Sequence, residues 1–151
     1  MKFVDNETLS IYSDIEPKPC IRTVLPYISE EEIVDIQKKP YLNKKNVNFY
    51  IRYKGEIYDV FIPKGYKWDG ASIPFGFRWI LGGKGNPVFL VPSMVHDKLC
   101  ENKYLIDNDR ELSSLIFYNL LLACKCNKLK AKIMYLAVDN YQKLVKGWKI
   151  K

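Results

Sequence analysis

Four side chains in one stretch, Asp69, Ser72, His96 and Asp97, have the types and the order that a polar reaction site needs. His96 is the single histidine of the chain. Imidazole titrates near neutrality, so His96 is the natural general base. Asp69-Gly70-Ala71-Ser72-Ile73-Pro74 reads as a tight corner: Asp and Ser bond to nearby backbone, Gly70 permits positive φ, and Pro74 fixes the exit. His96 and Asp97 fall on a helix begun at Asn86 or restarted at Pro92, where neighbours point about 100° apart. Asp97 is therefore poorly placed to orient His96. Its role is instead to coordinate a cation or to anchor the loop at Asp69. The carboxylate that fixes the second ring nitrogen of His96 must come from elsewhere, with Asp69, Asp107 and Asp109 as candidates. The plain structural account is a buried histidine beside a solvated aspartate.

Gly82-Gly83-Lys84-Gly85 could bring backbone N–H groups up to an anion, with Asn86-Pro87 starting a helix behind it. It lacks the Walker spacing and the closing Lys-Ser/Thr, so it is no nucleotide P-loop, and an ordinary flexible loop is the favoured account of it. One histidine excludes a multi-histidine zinc or iron site, and Cys124-x-Cys126 alone is no zinc ligand set. A nucleophilic Ser72 lacks the Gly-x-Ser-x-Gly elbow.

These residues need a scaffold, and 151 residues suffice for one domain, 1–151, with its own core. Residues 1–15 alternate weakly and supply one or two short strands. Pro17, Pro19 and Pro26 forbid a long helix across 16–27, and Ser29 with three acids behind it starts a short one that Pro40 ends. Residues 47–62 form a hairpin turning at Lys54-Gly55, with both faces of the second arm partly covered. Tyr66 to Trp68 is a third strand that delivers Asp69. Three helices follow, at about 87–101, 108–124 and 129–146. The second is capped by Asn108 with Glu111 and, apolar nearly all round, is buried. The third turns Ile133, Leu136, Ala137, Tyr141 and Leu144 to one side, and Gly147 stops it. The result is an α+β fold, an N-terminal antiparallel β region packed by C-terminal helices.

The formal charge is +7, and from Lys125 to Lys151 eight lysines face one acid, Asp139. Such a tail steers toward phosphates or is simply a solvated face. No apolar run reaches the roughly 18 residues of a membrane span. The acidic start carries no signal-peptide pattern, and scattered cysteines suit reduced thiols, so the expected place is a reducing cytoplasm.

Phe61-Ile62-Pro63-x-Gly65-Tyr66-x-x-Asp69-x-Ala71-Ser72-Ile73-Pro74, then Trp79, then Val95-His96-Asp97-x-Leu99, is an ordered pair of motifs. Across residues 61–122 the chain resembles the small phage and prophage family catalogued as domain of unknown function thirteen-fifty-three. That family's pattern runs F-x-P-x-G-F-x-T-D-x-A-S-I/V-P, H-D-x-L-Y and A-D-x-I-F. Here Trp68 replaces Thr, Gly70 an apolar residue and Cys100 the tyrosine. Ser114 stands at the aspartate of the last motif, so that carboxylate is either lost here or replaced by Asp109 about a turn away. The resemblance implies a bacteriophage protein in the host cytoplasm or the virion, and it carries no activity with it. A second, looser likeness is to secreted phospholipases, where loop carbonyls and the Asp after the His hold calcium while the His activates water. Gly82, Gly83, Gly85 and Asp97 fit that outline, which implies a divalent cation such as calcium.

Two functions remain open. One is a hydrolase acting on a host-envelope or phosphate-containing substrate, with His96 as base, Asp97 as metal ligand or positioner, and Asp69 and Ser72 orienting. The other is a virion or tail component, with tyrosine-rich strands suited to an interface, in which the same residues form a structural corner. Nucleic acid is the least favoured partner, because aromatics are not interleaved with the lysines.

Overall fold

The computed structural model describes residues 2–5, 7–14, 41–43, 46–68 and 87–143. The helix expected after Ser29, the corner Asp69–Pro74, the glycines 82, 83 and 85, and the chain past Lys143 lie outside the described residues.

Alternation builds the sheet. β1 (Lys2–Asp5), β2 (Leu9–Ser13), β4 (Val47–Tyr53) and β5 (Glu56–Ile62) pair antiparallel in the order β1-β2-β4-β5. The short β3 (Tyr41–Leu42) pairs with β6 (Lys67–Trp68) beside it. The hairpin turns where expected. Lys54 and Gly55 take φ of 50° and 80°, the pair of positive values that lets a two-residue turn match strand twist. Register then follows, Tyr53 opposite Glu56 through Val47 opposite Ile62.

The sheet is covered on one side. Phe3, Leu9, Ile11, Phe49, Ile51, Val60 and Ile62 are buried, whereas Ile57 is 74% exposed and Phe61 44%. The expectation that both faces of β5 are part covered is therefore wrong. The period of two puts Tyr58, Val60 and Ile62 inward, and Ile57, Asp59 and Phe61 remain on an open face.

Among the described residues three helices follow the sheet: α1 (Pro87–Glu101), α2 (Arg110–Ala123) and α3 (Lys128–Tyr141). α1 runs through Pro92, which removes one backbone bond without ending the helix. Val91, Met94, Val95 and Leu99 of α1, with Leu112, Ile116 and Leu120 of α2, join the sheet in one core. The opposite side of α2 (Phe117, Leu121) packs on Ala131, Met134 and Val138 of α3 in a second. α2 is thus buried from two sides, which is why its sequence is apolar almost all round.

Two local expectations are corrected. The cap of α2 is Asp109, whose carboxylate accepts from the Leu112 N–H at 2.9 Å. Asn108 cannot cap, because Asp107 and Asn108 take φ of 58° and 59° to close the short 3-10 turn Lys103–Ile106. The inward face of α3 is Ala131, Met134 and Val138, while Leu136 is 49% exposed and Tyr141 37%. Small Ala131 and pliable Met134 admit a close approach to α2 that Leu136 would not.

Candidate functional site

The sequence of α1 carries two stripes at helical spacing. Val91, Met94, Val95 and Leu99 form one and face the sheet. Ser93, His96, Asp97, Cys100 and Glu101 form the other, at i, i+3, i+4, i+7 and i+8. All five line a pocket of about 200 Å³, closed by Phe117 of α2 and by Val138, Tyr141 and Gln142 at the end of α3. His96 and Asp97 diverge in direction, as adjacent helix residues must, yet both border this space.

His96 forms its wall. It is 5% exposed, and its ring centroid lies 5.1 Å from that of Phe117. Burial holds the imidazole down at about 4, with the Asp139 charge pulling weakly upward, so it is neutral at pH 7. The Cys100 Sγ, one turn on, lies 3.6 Å from Nδ1 and 3.8 Å from Nε2. Cys100, Cys124 and Cys126 form no disulfides.

Two of the three carboxylates expected to fix the His96 ring are engaged elsewhere, and the third is not described. Asp107 accepts from the Tyr58 hydroxyl at 3.3 Å, Asp109 caps α2, and Asp69 lies outside the described residues. The charge that bears on His96 is that of Asp139 on α3. Its Oδ1 accepts from the Ser114 hydroxyl at 2.7 Å and from Arg110 Nε at 3.2 Å. Ser114 is fully buried. A carboxylate from α3 thus meets the Ser114 position, and Asp109 is occupied with its cap.

Tyr66, just before β6, lies beside α1. The Tyr66 hydroxyl donates to Glu101 at 2.9 Å, and Lys98 Nζ stands 5.4 Å from the Tyr66 ring centroid. Burial and the Glu101 carboxylate push the Tyr66 phenol far up, so it stays a donor. Below it, buried Asn43 donates to the Ile62 and Pro63 carbonyls and pins the turn that leads into β6.

Among the described residues no group of three or more His, Cys, Asp or Glu side chains is placed to hold a metal ion. Asp97 is a single candidate ligand, and the glycines that would supply carbonyls lie outside the described residues. No helix among those residues is long and apolar enough to cross a membrane.

Sheet, helix layer and pocket define an α+β protein with a small helix-walled pocket around a neutral imidazole. The chain belongs to the family described as protein of unknown function (DUF1353), which it matches over residues 46–138. It is 39% identical over 80 residues to the uncharacterized protein y4jT of Sinorhizobium fredii, an alignment covering 53% of this chain and 23% of that protein. The chain thus spans under a quarter of that relative. No solved structure matches.

Proposed function

We propose that this is a bacteriophage-encoded accessory protein whose pocket is a hydrolase-type site. One observation carries the reading: His96 and Asp97, with Cys100 and Glu101, open on a single pocket rather than on separate surfaces. In this reading neutral His96 takes the proton of an attacking water and returns it to the leaving group. Asp97 positions that water or a cation, and Asp69 and Ser72, which follow β6 in the sequence, orient the substrate. A base whose pKa is about 4 is weak at pH 7. The substrate must therefore raise it on binding, which an ester of phosphate or of a carboxylic acid does as negative charge develops beside the ring. The test is hydrolysis of acyl and phosphate esters by wild type, His96→Gln and Asp97→Asn. The reading expects wild-type turnover that both substitutions remove while the melting temperature holds within a few degrees. Wild-type inactivity across both ester classes, or full activity in His96→Gln, sinks it.

A second reading, a non-catalytic virion or tail component, is favoured by the open sheet face. Tyr12 and Tyr50 are cross-strand partners there, 41% and 48% exposed, with Phe61 and Ile57 beside them. In that case His96 is a structural wall. Its replacement would cost about 1–3 kcal/mol of stability, no ester would turn over, and the protein would be found in stoichiometric amounts in purified particles.

A further inference from the structure

The side of α3 turned away from α2 has a composition that packing does not account for. Ala131, Met134, Val138 and Gln142 are its buried stripe. Opposite them lie Leu129, 68% exposed, and Leu136, 49% exposed. These two stand two turns apart, about 10 Å along the axis. Lys132 sits between them, Lys128 and Lys125 precede them, and Lys143 continues the line two turns beyond Leu136; all four lysines are exposed. The charge is not neutralised locally. From Lys125 to Lys143 the sole acid is Asp139, and its carboxylate is held by Arg110 and Ser114.

We propose that this face of α3 docks on an anionic lipid surface, with Leu129 and Leu136 entering the headgroup boundary and the lysines pairing with lipid phosphates. An interfacial helix needs an apolar strip flanked by cations, and both are present. Nucleic acid fits less well, because the strip is aliphatic and cannot stack on bases. A protein partner fits less well, because a face roughly 20 Å by 10 Å offers about a quarter of the ~800 Å² per side that a stable complex buries. The inference is independent of the hydrolase reading, since the pocket is lined by Val138, Tyr141 and Gln142 and by none of the residues of this face.

The experiment is co-sedimentation of the whole chain with phosphatidylcholine vesicles, with and without about one-third phosphatidylglycerol. Binding is expected only to the anionic vesicles and is weakened by raising salt. Each of Lys128→Gln and Lys132→Gln weakens it about fivefold. The pair Leu129→Gln with Leu136→Gln weakens it about tenfold or more. These side chains are exposed, so thermal melts of the variants stay within a few degrees of wild type, and His96→Gln binds as wild type does. Failure to bind anionic vesicles overturns the proposal, as does equal binding to zwitterionic ones. Retention of duplex DNA with the leucines dispensable also overturns it, in favour of nucleic acid.

Discussion

His96 makes the protein acid-sensitive in a way that one residue can be shown to cause. Its ordinary pKa is 6.5, and burial holds it at about 4 in the fold, with Asp139 opposing. An unfolded chain therefore takes up a proton near pH 6.5 that the folded chain refuses until pH approaches 4. Stability from this source is fully present above pH 6.5, declines as pH falls, and is gone below about 4. Each unit of difference corresponds to about 1.36 kcal/mol, so the loss is ~3 kcal/mol, or ~10 °C in melting temperature for a chain of this size. The assay is urea denaturation of wild type and His96→Gln at pH 7, 5.5 and 4. The carboxylates titrate alike in both proteins, so the difference between the two slopes isolates the imidazole. Because His96 is the chain's single histidine, its NMR resonance needs no assignment and reports the folded pKa directly. An imidazole titrating near 6.5 in the native protein would refute the reasoning, and so would an unchanged acid slope in His96→Gln.

Two further outcomes test the helical layer. Asp139→Ala removes the acceptor of the fully buried Ser114 hydroxyl and leaves the mostly buried Arg110 only its 3.9 Å contact with exposed Glu111, so it should cost about 2–4 kcal/mol in chemical denaturation. Ser114→Ala should cost less, and the double-mutant cycle should show coupling of about 1 kcal/mol; additive losses would mean the 2.7 Å bond contributes nothing. Asp109→Ala should cost about 1 kcal/mol through loss of the α2 cap. Asn108→Gly should be neutral or stabilising because φ there is 59°; the reverse ranking in thermal melts would return the cap to Asn108.

What could be read in advance follows from the range of each interaction. Lys54-Gly55 decides the hairpin within four residues, and Pro87 starts α1 by its own geometry, so both were legible. The cap of α2 moved by one residue because Asp107 and Asn108 were already committed to ending the preceding turn. The inward face of α3 was misjudged because Leu136 and Tyr141 outweigh Ala131 in hydrophobicity, whereas close packing against Phe117 and Leu121 selects for shape. The pocket stripe was present in the sequence as Ser93, His96, Asp97, Cys100 and Glu101. It is easily passed over when partners for His96 are sought only among Asp97 and the aspartates at 69, 107 and 109 rather than along its own helix. The Ser114–Asp139 bond has no local signature at all: the two residues are 25 apart in the chain. Its one trace is compositional. A lone acid in a helix otherwise rich in lysine is dispensable as a surface charge, so its presence argues for an inward partner, and Arg110 and Ser114 are those partners.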